Sequence, residues 1–204
     1  WKTLMMYRKS TVTPIFLTKS CSHWTARQKL EHERINRPLQ RILGIDPGSR
    51  ITGYAVIDTD GSRNTHVVHG CIRTGMDNFP GRLGEIFEGI SQVIAEFSPA
   101  EVAIEDVFVA KNAASALKLG QARGAAICAA VQANCPVYEY TPRAVKLSIV
   151  GKGSAEKEQV QHMVKMILNL TGKLQADASD ALGIALTHAH TRSTQMLIKG
   201  GKSW

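Results

Sequence analysis

The sequence predicts a single α/β domain built on a mixed five-stranded sheet. Three strand-like segments follow one another between residues 41 and 73 and are separated by turn signals such as Asp60-Gly61. Strand-like and helix-like segments then alternate, which is typical of parallel strands joined by crossover helices. We therefore expect the first three strands to be antiparallel and the last two to be parallel.

Each element has its own signal in the chain. Apolar runs bounded by turn residues predict strands at about residues 41–46, 53–59, 65–73, 102–105 and 136–140. Helical periodicity and capping residues predict five helices: one ending at Ser98-Pro99, one over about residues 112–134, one starting at Pro142, one capped by Ser154, and one from about Asp177 to about His190.

Composition limits the class of protein. Hydrophobic residues make up 44% of the 204 residues and charged residues 21%, so the chain can bury a core and is not globally disordered. No apolar run approaches the roughly 20 residues that span a bilayer. Four cysteines without a Cys-x-x-Cys pair are typical of a reducing compartment.

The basic charge is concentrated at the beginning of the chain. The net charge is +8, and residues 1–40 hold 8 basic and 2 acidic side chains. We interpret residues 1–40 as a disordered extension or an artefact, residues 41–190 as the folded domain, and residues 191–204 as a flexible tail. A basic balance permits nucleic-acid binding without establishing it.

Four carboxylates are placed where a metal site would need them. Asp46 and Glu105 each end an otherwise apolar strand, where a carboxylate is costly unless it is paired, hydrated or metal-bound. Asp177 and Asp180 open the last helix with a spacing that puts both on one face, although helix capping alone would also explain them. Asp106 should point to the opposite side of its strand and is left out of this set.

An all-carboxylate site suits Mg²⁺ or Mn²⁺, because these ions prefer hard oxygen ligands. Two such ions, roughly 4 Å apart, can assist the hydrolysis of a phosphodiester bond. The acids therefore favour a metal-dependent enzyme that acts on phosphodiesters.

Five ordered blocks carry a resemblance to a known family. They are Leu-Gly-Ile-Asp-Pro-Gly-Ser-Arg at 43–50, Ala-Ile-Glu at 103–105, Ala-Leu-Lys-Leu-Gly-Gln-Ala-Arg-Gly at 116–124, Gly-Ser-Ala-Glu-Lys at 153–157 and Ala-Asp-Ala-Ser-Asp-Ala-Leu at 176–182. Together they resemble the bacterial RuvC family of Holliday junction resolvases, over about residues 41–190.

The resemblance implies an RNase H-like fold and a homodimeric endonuclease that acts in DNA recombination and repair. Each subunit would nick one of two opposing strands of a four-way junction, leaving 5′-phosphate and 3′-hydroxyl ends. The family's catalytic and metal-binding acids fall on Asp46, Glu105, Asp177 and Asp180. The family also implies two Mg²⁺ per subunit with Mn²⁺ as a substitute, the RuvA and RuvB branch-migration proteins as partners, and the bacterial cytoplasm as location.

The resemblance also extends to DNA contacts. Lys146 and Lys157 match lysines that touch backbone phosphate in the family, whereas without the motif both would be assigned to a solvated helix face. Phe108 matches an aromatic residue thought to stack on an unpaired base, with core packing as its alternative. Further DNA-binding candidates are Lys111, Asn112 and Lys152, the last in a flexible Gly-Lys-Gly loop.

Two other functions remain open from the residues. A nucleotide-binding protein of the actin and sugar-kinase type shares a Gly-x-Asp-x-Gly hairpin, but that architecture needs two such domains. A non-catalytic junction-binding relative would gain nothing from four clustered acids. His188, two helical turns beyond Asp180, is expected at the surface or beside the acids.

Overall fold

The strands form one five-stranded sheet in the computed structural model, which describes residues 25, 38–106 and 113–200. They are β1 (Gln40–Asp46), β2 (Ile51–Thr59), β3 (Asn64–Arg73), β4 (Glu101–Glu105) and β5 (Val137–Tyr140). Their order is β3-β2-β1-β4-β5. The first three are antiparallel, and β1, β4 and β5 run parallel, so the predicted mixed sheet is confirmed.

In the described part of the chain, five helices cover the two faces of this sheet. They are α1 (Phe79–Phe97), α2 (Ala113–Gln132), α3 (Pro142–Val150), α4 (Lys157–Leu168) and α5 (Ala176–Gly200). One core lies between the sheet and α1 with α2, and the other lies between the sheet and α3, α4 and α5. Because both faces are covered, the central strands are apolar on both sides, which is why they appear in the sequence as short continuous apolar runs.

Alternation along β1 assigns side chains to the two cores. Leu43 and Ile45 face α1 and α2, while Ile42 faces α5, and all three are fully buried. Successive side chains on a strand point to opposite faces, so Gly44 and Asp46 lie on the same face as Ile42, toward α5.

Two predicted helix boundaries are wrong. The cap of α4 is Glu156 rather than Ser154, and its backbone N–H donates to Gln159 Oε1 at 3.1 Å. The last helix continues past His190 to Gly200. The predicted flexible tail therefore begins too early, because the side chains of Thr191 and Ser193 donate to the carbonyl four residues earlier and stay within the helix.

The chain divides into two compact units, Trp1–Asn36 and Arg37–Trp204. Apart from Thr25, the first unit lies outside the described residues, so the predicted extension over residues 1–40 stays a prediction for most of its length. The described cysteines are free thiols, as expected. Within the described part of the second unit, no helix is both long enough and apolar enough to span a membrane.

Candidate active site

Two glycines bring the start of α5 onto the sheet. A Cβ at Gly44 would lie 2.2 Å from the carbonyl oxygen of Ala181, and one at Gly53 would lie 2.1 Å from that of Asp177. Any larger side chain would push the helix away, so only glycine permits this approach. Because Gly53 pairs with Asp46 across β1 and β2, the helix terminus is held directly over the end of β1.

The four predicted acids come together at this edge, and we call them the acid cluster: Asp46, Glu105, Asp177 and Asp180. Burial is the largest cause that raises the pKa of Asp46, to about 8, and the negative charges of the other three acids raise it further. The pKa of Glu105 is also raised, first by burial and then by Asp180, while a hydrogen bond with Asp46 opposes the rise. A proton shared between Asp46 and Glu105 is the expected state when no cation is bound.

Lys157 supplies a positive charge to this edge. Its ammonium lies 2.6 Å from Asp180 Oδ2, and this hydrogen bond raises the pKa of the lysine. The pKa of Asp180 is nevertheless raised, because burial outweighs the opposing effect of Lys157. One lysine therefore does not neutralise the acid cluster.

Lys146 lies in the same cleft. A pocket of about 260 Å³ is lined by Lys146 and Lys157 together with Glu105 and Asp180. Pro142 begins α3 after the N-cap Thr141, whose hydroxyl accepts from the Ala144 N–H at 3.2 Å, and this start aims the helix so that Lys146 reaches the cleft. The structure thus brings two of the predicted phosphate-binding lysines beside two of the acids.

The chemistry of the donor set fits a hard divalent cation. Carboxylate oxygens are the ligands that Mg²⁺ and Mn²⁺ prefer, and the cluster holds more negative charge than Lys157 offsets. Among residues 38–106 and 113–200, however, no three His, Cys, Asp or Glu side chains lie close enough together to hold one metal ion as they stand. Asp180 instead forms an ion pair with Lys157.

The remaining DNA-binding candidates fall elsewhere. Lys152 is exposed and lines a separate pocket with Arg143, a residue that the sequence analysis missed. Phe108, Lys111 and Asn112 lie outside the described residues.

Asp106 is paired away from the acids. Its carboxylate is 3.7 Å from the guanidinium of Arg123, which also forms an ion pair with Glu139 and donates to the backbone carbonyl of Glu105 at 3.1 Å. These contacts agree with leaving Asp106 out of the acid cluster, and they fix the backbone of Glu105 at the end of β4.

A second carboxylate network lies at the other end of β4. Glu101 accepts from Arg192 and, at 2.7 Å, from His188 Nε2, and the other ring nitrogen of His188 is 2.7 Å from the Tyr140 hydroxyl. His188 is only 3% exposed, so the expectation that it lies at the surface or beside the acid cluster is wrong. It faces inward because α5 runs antiparallel to β4 and carries it to the strand's opposite end.

Comparisons with known proteins agree with this architecture. Residues 42–188 match the family described as Crossover junction endodeoxyribonuclease RuvC. The protein of that name from Methylococcus capsulatus is 60% identical over 156 residues, which cover 76% of this chain and 94% of the relative. The one from Photobacterium profundum is 57% identical over 162 residues, which cover 79% and 94%.

Solved structures show the same similarity. The structure of T. thermophilus RuvC in complex with Holliday junction substrate has a TM-score of 0.73 and 34% identity, covering 76% of this chain and 96% of that one. The yeast mitochondrial Holliday junction resolvase Ydc2 shares the fold, with a TM-score of 0.57 at 14% identity over 88% of this chain and 90% of that one. The resemblance read from the five sequence blocks, and the RNase H-like fold that it implied, are confirmed.

Proposed function

Because the chain belongs to the RuvC family of crossover junction endodeoxyribonucleases, we propose that it resolves Holliday junctions by paired, symmetric nicks in two opposing strands. The acid cluster would be its catalytic centre. The single observation that carries this assignment is the seating of α5 on Gly44 and Gly53, which gathers the four acids at one edge of the sheet. Membership of this family disfavours a nucleotide-binding protein of the actin type.

The family consists of metal-dependent nucleases, and the acid cluster is the group that would hold the metal. Mg²⁺, two ions per subunit with Mn²⁺ as a substitute, would supply a Lewis acid for the scissile phosphate and lower the pKa of water. The protein's own part is to provide carboxylate oxygens, to keep them partly buried, and to give up the proton held by Asp46 and Glu105 when a cation binds.

The lysines of the cleft are proposed to position the DNA. Lys146 and Lys157 border the acids, where an ammonium can attract the phosphate next to the one that is cut. Lys157 would exchange Asp180 for phosphate when DNA enters. Lys152 would touch the backbone farther along the same side, and Phe108, Lys111 and Asn112 stay predictions for the junction centre.

The surface of α2 supports a proposed homodimer. This helix buries Ala122, Ala126, Ala129 and Ala130 against its own sheet, while Leu117 and Val131 on its outer side are 70% and 60% exposed. Exposed apolar side chains of this size favour the homodimer, in which two copies place two active sites on opposing strands. RuvA and RuvB as partners and the bacterial cytoplasm as location complete the proposal.

The test is a nicking assay on a synthetic four-way junction beside a linear duplex of the same sequence, with Mg²⁺ and with EDTA. We expect symmetric nicks on the junction alone that can be sealed by ligase and that EDTA prevents. Junction binding without cutting in Mg²⁺ or Mn²⁺ would favour the non-catalytic relative. Equal cutting of both substrates would leave a nuclease without junction specificity.

A further inference from the structure

A second pocket with basic side chains lies beside the acid cluster. Its volume is about 260 Å³, and Arg73, Lys173 and Gln175 line it together with Cys71 and Ala178. Arg73 is the last residue of β3, while Lys173 and Gln175 lie in the segment that leads into α5. The pocket therefore borders the same helix terminus that carries two of the acids.

The sheet register shows on which side of the acids this pocket lies. Asp46 pairs with Gly53, and Gly53 pairs with Cys71 on β3. With about 4.8 Å between neighbouring strands, Cys71 is roughly 10 Å from the end of β1. Glu105 lies on the other neighbour of β1, strand β4, and lines the pocket of Lys146 and Lys157. The acid cluster thus lies between two pockets that both carry basic residues.

The cations of the second pocket have no carboxylate partner among the described residues. Arg73 donates only to Gln175 Oε1, at 3.4 Å, and both Arg73 and Lys173 are exposed. By contrast, Arg41 pairs with Asp58, and Arg192 pairs with Glu101. Within residues 38–106 and 113–200, no acidic side chain lines the second pocket. A guanidinium with most of its five N–H donors unused suits an anionic oxygen ligand.

We propose that Arg73 and Lys173 bind a backbone phosphate of the cut strand, on the opposite side of the scissile phosphate from Lys146 and Lys157. This inference rests on the proposed function. A DNA strand carries a charge at every nucleotide, so a strand that crosses the acids places phosphates on both sides of the cut. Contacts on one side alone would leave the scissile phosphate free to swing, whereas contacts on both sides fix its position. Both residues are positioning residues.

The first test measures junction affinity against salt concentration and single-turnover cutting for Arg73→Gln and Lys173→Gln. We expect each to reduce the slope of log affinity against log salt by about 1, as for one lost phosphate contact, and to slow cutting roughly tenfold or more. Arg63→Gln is the matched control, because Arg63 is also exposed but lies before β3, at the strand's far end. It should leave both quantities unchanged, and all three variants should keep the wild-type melting temperature.

The second test locates the phosphate. Junctions with a neutral methylphosphonate at single positions on either side of the cut are combined with Arg73→Gln and with Lys146→Gln. We expect the loss from Arg73→Gln to vanish at a position on one flank and the loss from Lys146→Gln to vanish at a position on the other. Losses that add at every position, or coupling of both residues to the same flank, would overturn the inference. A wild-type protein that neither binds nor cuts the junction would overturn the proposed function as well.

Discussion

Strand β4 carries a glutamate at each end, and both side chains face α5 in different electrostatic surroundings. Glu101 meets Arg192 and His188, so its carboxylate has hydrogen-bond donors on both oxygens. Glu105 instead meets Asp46 and Asp180, and among the described residues Lys157 is the cation that lowers its pKa. The two residues share a strand, a sheet face and a helix, but not a set of partners.

The difference teaches that Glu101 has partners that stabilise the native state, whereas Glu105 lies among charges that destabilise it. When a buried acid is paired with matched donors, removing either partner destabilises the native state. Buried acids that face one another lower stability until a cation or protons neutralise them. A region that lowers stability in this way is expected where function requires it, which agrees with the metal-binding role proposed for Glu105.

The largest expected effect is on catalysis at the acid cluster. Asp46→Asn should reduce single-turnover cutting of a four-way junction by roughly a thousandfold or more, because it removes one charged ligand from the reacting centre. Junction affinity should stay within about threefold of wild type, since DNA binding depends on the basic residues. Cutting at the wild-type rate by this variant would remove Asp46 from the catalytic centre.

The next effect is on stability at the opposite end of β4. Glu101→Ala should lower the free energy of unfolding by about 2–4 kcal/mol, because it leaves Arg192 without its carboxylate and His188 without its acceptor. Urea denaturation measures the loss, with Glu88→Ala on the exposed side of α1 as a control that should change little. A loss equal to that of the control would show that Glu101 does not stabilise the fold.

A smaller effect is the pH dependence of the metal-free protein. The pKa of Asp46 is raised to about 8 in the folded state, from 3.8 in the unfolded chain. The folded state then binds the extra proton, so stability falls as pH rises between about 4 and 8. Asp46→Asn should remove about 1–3 kcal/mol of this loss near pH 8 in EDTA, as measured by thermal unfolding. An unchanged pH slope would contradict the raised pKa of Asp46.

The smallest effect has the opposite sign and belongs to the Glu101 end. Burial lowers the pKa of His188 below 6.5, against the opposing effect of Glu101. The unfolded chain then takes up the proton more readily, so stability falls as pH drops below about 6.5, by about 1 kcal/mol or less. The pH slope of stability between 5 and 6.5 should be shallower in His188→Gln. A slope equal to wild type would mean that another group dominates this range.

The acid cluster could be predicted from the sequence because its signals are local. Asp46 and Glu105 end apolar strands, and the spacing of Asp177 and Asp180 puts them on one helix face. The strand directions followed from the two hairpins and from the helix between β4 and β5. Gly44 could also have predicted the close approach of α5, because a glycine inside a buried strand often marks the close approach of another backbone.

The Glu101 network could not be predicted because its partners are distant in sequence. His188 and Arg192 lie 87 and 91 residues after Glu101, and only the antiparallel course of α5 over β4 brings them there. The predicted strand begins at residue 102 and does not include Glu101. The pocket of Arg73 and Lys173 could not be predicted for the same reason. Its two cations are 100 positions apart in the sequence, and each alone resembles a solvated surface residue.

The most direct test of the contrast between the two ends of β4 compares Glu105→Gln with Glu101→Gln in single-turnover cutting of a four-way junction with saturating protein and Mg²⁺. Both substitutions keep size and shape and remove one charge. We predict that Glu105→Gln binds the junction and leaves it uncut, while folded Glu101→Gln cuts within a few-fold of wild type. Cutting by Glu105→Gln at the wild-type rate would contradict the assignment of chemistry to one end of β4 and stability to the other. So would a well-folded Glu101→Gln variant that no longer cuts while Glu105→Gln still does.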